Sequence, residues 1–359
     1  MKKINLLLVL FALTLGLFTS CEKEDNNNEI KIVLDGNAII ANEGSFGNAN
    51  GTISIFNGED GTISNDAYKA INDDYINANL QSINLHEGNL YCLTAGADAL
   101  HILDATNKLK AEVDPITEGF VNPRYFVADG DIAYVSCYGE NYYPNYENSY
   151  IAVVDLKERK VTAKIEREGG FEGMAIVGNK LYAASINTKE VAVFNITTNE
   201  YTKSIALEGN GRFIIKTSDD NLWVSHSSYV SNDEKGLSHI NTSEETVDIT
   251  VKIPTMGAGG FIAADNNVNN IYALGKEAYP GTKSYIIKID GKNGNVTSDP
   301  VIEGESFYGF NYNKYTNRFY VLVAPDYTND GYLNVYDATG KELYKNVATG
   351  VCPRQVIFY

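Results

Sequence analysis

Between residues 121 and 166, apolar and polar side chains alternate in four short runs, at 125–128, 132–136, 150–154 and 161–165. Val, Ile, Tyr and Phe fill the runs, while Asp129-Gly130-Asp131 and a Tyr-rich stretch separate them. Period-two alternation with β-branched and aromatic residues predicts half-buried strands; a helix would repeat its apolar positions every three or four residues. A lone sheet of four such strands cannot bury both of its faces, so the pattern predicts neighbours of the same kind.

The pattern recurs. An aromatic near the start of the second run stands at Tyr91, Tyr134, Tyr182, Trp223, Tyr272 and Tyr320. An Asp or Asn closes the third run at Asn57, Asp104, Asp155, Asn195, Asn241, Asp290 and Asp337, at spacings of 40 to 51 residues. A short acceptor at a strand end caps a turn through its own backbone, and the period suits four-stranded blades. The seven marks predict an all-β, seven-bladed β-propeller with four antiparallel strands per blade. Ahead of Asn57 only two strands fit, at 37–41 and 52–56, so the first blade lacks its innermost strand. The final residues, GVCPRQVIFY, resemble the run that opens Asn122-Pro123-Arg124. The C-terminal strand is therefore expected to complete the N-terminal blade, closing the ring and removing its sheet edges.

Residues 1–20 carry Lys2 and Lys3, an apolar run to Phe18, and Thr19-Ser20 ahead of Cys21. The run is too short to span a bilayer comfortably and suits a secretory signal peptide. The small residue before Cys21 resembles a bacterial lipobox with Cys21 as the lipidation site; an ordinary signal peptide with an incidental cysteine is the alternative. Residues 21–35 then read as a lipidated flexible tether, and 36–359 as the propeller. Lys23-Glu24-Asp25 resembles the export signal of gut-bacterial surface lipoproteins, which implies an outer-membrane location facing the cell exterior. Removing residues 1–20 takes away two lysines and moves the net charge from −17 to −19. So acidic a chain disfavours nucleic acid or anionic lipid as a partner, leaving the lipid as the membrane anchor. Cys92, Cys137 and Cys352 match no metal spacing and fall on predicted strands, as buried thiols or with one pair bridged.

In propellers of this kind the loops from second to third strand share a face with the inter-blade segments. Five of these loops are long: 42–51 (NEGSFGNANG), 138–149, 226–236, 275–284 and 324–331. Hairpin loops ordinarily hold about two to five residues, so this rim reads as the functional face. Its candidate ligand-binding residues are Phe46, Tyr142, Tyr143, Tyr146, His226, Tyr229, Tyr279 and Tyr327, joined by Tyr308 from an inter-blade segment. Tyrosine offers a rigid apolar face with a polar tip at low entropic cost; ligand contact and packing among the loops themselves are both open. Arg124, Arg212 and Arg354 stand near the start of inner strands. They either ring the channel mouth as donors to a carbonyl or phosphate, or pair with channel carboxylates.

Catalysis finds little support. Of four histidines only His226 is expected on the long-loop face, and no Ser/His/Asp or Cys/His set assembles from spacing. No metal site or resident cofactor is expected, and 326–331 reads as a solvated turn rather than a calcium loop. The lipobox, the tether, the segment Asn42-Glu43-Gly44-Ser45-Phe46-Gly47 and the Tyr-rich blades resemble the YncE-related propeller lipoproteins, and among them the BtuG-type surface lipoproteins of gut bacteria. That resemblance implies a non-enzymatic protein that captures cobalamin or a related corrinoid and passes it to a TonB-dependent outer-membrane transporter. Stacking tyrosines also suit carbohydrate or glycopeptide, which is the alternative; a propeller lyase or hydrolase is a third reading.

Overall fold

The structure, a computed structural model, describes residues 37–106, 108–278 and 280–359. The predicted signal segment, Cys21, the tether and Tyr279 lie outside the described residues. The chain forms a seven-bladed propeller of antiparallel sheets, six with four strands and one with three among the described residues. The innermost strands run in ring order: Asn79–His86, Pro123–Asp129, Phe171–Val177, Asn210–Lys216, Ile262–Ala264, Phe307–Asn313 and Pro353–Phe358. Each packs beside the next, and the last returns to the first. As expected, the C-terminal strand Pro353–Phe358 pairs antiparallel with Ala38–Asn42 and supplies the innermost strand of blade one.

Alternation explains why the blades hold together. Along Asn89–Ala95 of blade two, Cys92 packs toward blade one with Ile39 and Ile53, while its neighbour Leu93 packs toward blade three with Phe126 and Val135. Successive side chains of a strand point to opposite faces, so every blade is shared between two cores. The same arrangement places Leu181 with blade three and Tyr182 with blade five. It also places Trp223 with blade six and Val224 with blade four. Tyr320 and Leu322 of blade seven meet Ala38, Ile40 and Phe56 of blade one, closing the circle. Fully burying one such side chain stabilises by about 1.5–3 kcal/mol. The aromatic that marks each second strand is therefore a wedge between blades.

Blade two departs from the four-strand expectation. Among the described residues its outer segment forms no strand: it pairs with the sheet through the bridges Asp104–Lys110 and Leu100–Ile116, while Leu109 and Ile116 pack into the cores on either side. The sequence there lacks alternation, and Pro115 removes a backbone donor. Cys92, Cys137 and Cys352 are buried free thiols. Cys352 corrects its strand placement: it sits in the bend before the closing strand with φ +50°. Among the described residues no helix is long and apolar enough to cross a membrane.

The rims differ as predicted. Second-to-third connections span 43–51, 138–149, 228–235, 277–282 and 324–329, against 96–98 in blade two and 186–189 in blade four. First-to-second turns on the opposite rim are short, such as 130–131 and 178–179.

Candidate functional site

The inner strands aim their side chains through a repeated irregularity. In blade three, Pro123 pairs with Cys137 and Tyr125 with Ser136, so Arg124 is skipped by the ladder. The same break falls at Gln81, Glu172, Arg212, Tyr308 and Arg354 on their own strands. A bulge bends the strand and re-aims the extra residue. Here it turns one polar side chain from each of six blades toward the channel mouth, while Phe261, just ahead of Ile262–Ala264, takes the place in blade six.

Arg124, Glu172, Arg212, Tyr308, Arg354 and Phe261 form the floor of a cavity of about 460 Å³ on the long-loop face. Arg124 donates through Nε and Nη2 to Oε1 of Glu172, at 3.3 and 2.9 Å, and through Nη1 to Gln81 at 2.5 Å. The Tyr138 hydroxyl donates to the same Glu172 oxygen, and the Arg124 guanidinium lies 4.5 Å from the Tyr138 ring centre. Burial alone would raise the Glu172 pKa, but the guanidiniums of Arg124 and Arg354, the Tyr138 hydroxyl and Arg212 bring it down to about 2. Across the mouth Glu43, from the 43–51 loop, accepts from Arg354 at 3.1 Å and from the Tyr308 hydroxyl at 2.7 Å. Burial and the Glu43 charge push the Tyr308 phenol well up. Arg212 donates through Nε to Ser227 Oγ at 2.9 Å. Phe213 and Phe261 stack beside it, with ring centres 5.0 Å apart.

Tyrosines build the walls. Tyr138, Tyr142 and Tyr146 pack as a triad with ring centres 4.9 to 5.7 Å apart. The triad fits because Gly170 has φ +60° and a Cβ there would lie 2.5 Å from the Tyr146 ring. Tyr143 and Tyr229, 79% and 80% exposed, line the opening with their faces largely uncovered.

Of the sequence-predicted residues, Arg124, Tyr142, Tyr143, Tyr146, Arg212, Tyr229, Tyr308 and Arg354 come together around this one cavity. Tyr327 stands beside it, edge-on to Tyr308 at 5.9 Å. Two placements are corrected. His226 is buried behind its own loop, its Nδ1 donating to the Glu234 carbonyl at 2.8 Å, and burial lowers its pKa. It points into the hairpin because the following loop folds back over it. Phe46 is 98% exposed at a loop tip and lines none of the cavity. Sequence reasoning named neither Gln81 nor Glu172, although each stands at the same strand position as the three arginines. Glu43, Tyr138, Phe213 and Phe261 fall in the loops and inter-blade segments of the predicted face but were not among the ligand-binding candidates; their packing singles them out. The Asp326 carboxylate caps its own turn, accepting from the backbone of Thr328 and Asn329 at 2.8 and 2.7 Å.

A family model described as "Domain of unknown function (DUF5074)" matches residues 35–351. No curated protein matches the chain. Among solved structures, a quinonprotein alcohol dehydrogenase-like protein of Bacteroides thetaiotaomicron superposes with a TM-score of 0.68 at 17% identity, covering 90% of this chain and 78% of that one. A protein of Bacteroides fragilis, provisionally described as a 6-phosphogluconolactonase, gives 0.66 at 15% identity, covering 90% and 98%. A functionally unknown protein of Desulfotomaculum acetoxidans gives 0.63 at 13% identity, covering 89% and 99%. Identities this low carry the propeller fold and nothing about chemistry.

Proposed function

The chain belongs to the DUF5074 family, and on that premise we propose that it is a non-catalytic capture protein whose long-loop face holds a ligand with a broad, stackable surface. The observation that carries this reading is one cavity of about 460 Å³ with tyrosine walls and a polar, hydrogen-bonded floor. Pockets of about 300–1,000 Å³ lined by aromatic groups with a few convergent polar ones are typical small-molecule sites. The ligand class that best joins this geometry to the sequence resemblance is a corrinoid. Its rigid disc would lie across Tyr143 and Tyr229, with its fringe of amides meeting the rim polar groups. A rigid guest on a preorganised rim loses little conformational freedom on binding. In this reading Cys21 carries the lipid, the propeller stands on the outer face of the outer membrane, and the corrinoid passes to a TonB-dependent transporter.

Isothermal titration of the protein with cyanocobalamin tests it. We expect a Kd of about 1 μM or tighter, an affinity of roughly −8 kcal/mol; absence of binding rejects the corrinoid. The second reading is a carbohydrate or glycopeptide, favoured by the uncovered faces of Tyr143 and Tyr229. Glycan-array binding lost in Tyr143→Ala, with no response to cyanocobalamin, would replace the first reading with the second. Turnover of a lactone or glycan substrate would overturn the non-catalytic assignment.

A further inference from the structure

We infer that the cavity floor is an oxyanion subsite centred on Arg212, which takes the phosphate or carboxylate of a ligand whose ring system lies against the tyrosine walls. The inference rests on the capture reading above, and adds the charge that the ligand must carry.

The argument starts from the partners of the three floor guanidiniums. Arg124 is committed to Glu172 and Gln81, and Arg354 to Glu43. Arg212 has no ion pair among the described residues: its Nε is held by Ser227, its terminal nitrogens meet no protein acceptor, and Tyr229 lies 5.9 Å away. Three guanidiniums against Glu172 and Glu43 leave the mouth with one surplus positive charge, on a chain whose net charge is −17. The arm is also prepared. The Ser227 hydroxyl donates to the Ala258 carbonyl at 3.0 Å while accepting from Arg212 Nε, which fixes the plane of the fork. Gly260, at φ +67°, lets its loop lie on the arginine stem, since a Cβ there would stand 2.6 Å from Arg212 Cβ and Cγ. A half-buried guanidinium held by one nitrogen, with its two others open to a cavity, matches the bidentate recognition of a planar carboxylate or a phosphate. Phe213 and Phe261 beside it reduce competition from water.

The test uses 1-naphthyl phosphate, 1-naphthoate and 1-naphthol, titrated calorimetrically into the full chain and into Arg212→Gln, Arg212→Lys and Ser227→Ala. We expect at least one of the two anions to bind about tenfold or more tightly than the naphthol, the ratio that a charge-assisted hydrogen bond supplies. The stronger anion identifies the oxyanion class. Arg212→Gln should abolish the preference, Arg212→Lys should keep part of it, and Ser227→Ala should weaken it, with thermal melts confirming the fold. Should Arg212→Gln not fold, the Arg212→Lys and Ser227→Ala ratios decide. Equal binding of anions and naphthol, no binding of any, or a preference that Arg212→Gln retains would overturn the subsite. Cyanocobalamin binding that Arg212→Gln leaves unchanged would sink the subsite and spare the capture reading. A naphthyl anion preference that Arg212→Gln abolishes, without corrinoid binding, would keep the subsite and reject the corrinoid as its ligand.

Discussion

A carboxylate with 6% of its side chain exposed stays ionised only through its partners, and Glu172 has two guanidiniums, a phenol and a third guanidinium nearby. Removing one side of a buried pair leaves the other charged and alone, at a cost of about 3–5 kcal/mol. Glu172→Gln is therefore expected to destabilise the protein by about that much at pH 7, read from guanidinium chloride unfolding. The pH dependence has a definite sign. The folded pKa, about 2, lies below the ordinary 4.5, so the contribution of Glu172 is present above pH 4.5 and is lost as pH falls toward 2. The gap between wild type and Glu172→Gln should narrow over that window; a constant gap would mean that the charge is not what stabilises. Tyr143 and Tyr229 behave differently, since their faces are largely exposed. Their alanine variants are expected to leave the melting temperature unchanged and to weaken ligand binding by about 1–2 kcal/mol each.

The elements that hold these residues are the bulged inner strands, and the most consequential is the last. Pro353–Phe358 brings Arg354 to the floor, buries Val356 between blades seven and one, and closes the ring. A charge placed on its buried face would be desolvated without a partner. Val356→Asp is expected to cost about 3–5 kcal/mol, comparable to an orphaned buried charge, and to expose the edge of Ala38–Asn42. Measured unfolding together with light scattering checks both. A soluble monomer of wild-type stability would show that closure does not depend on this strand.

Across the whole molecule, charge has two ranges. The net charge of −17 repels an anion at a distance, while the surplus guanidinium acts only within the mouth. The Debye length falls from about 30 Å at 0.01 M salt to about 8 Å at 0.15 M, so the long-range repulsion is screened first. Stopped-flow association of an anionic ligand such as 1-naphthyl phosphate should therefore speed up as salt rises over that range. An association rate that falls instead would mean that the local positive field already dominates the approach.

Fold was legible in the chain because a propeller is written in local terms. Strand alternation, turn acids at spacings of 40 to 51 residues and a C-terminal run resembling an inner strand suffice for seven blades and their closure. The arginines and most wall tyrosines were legible for the same reason, since loop length and strand position mark the rim. What only the tertiary structure decided is who meets whom. The ring brings Glu172 to Arg124 and Glu43 to Arg354 from distant parts of the chain, while Arg212 keeps an open fork. His226 turns inward because its loop folds over it. Pairings of this kind depend on how each bulge re-aims its side chain and on which loops meet across the closed ring, and neither leaves a mark in the spacing of residues.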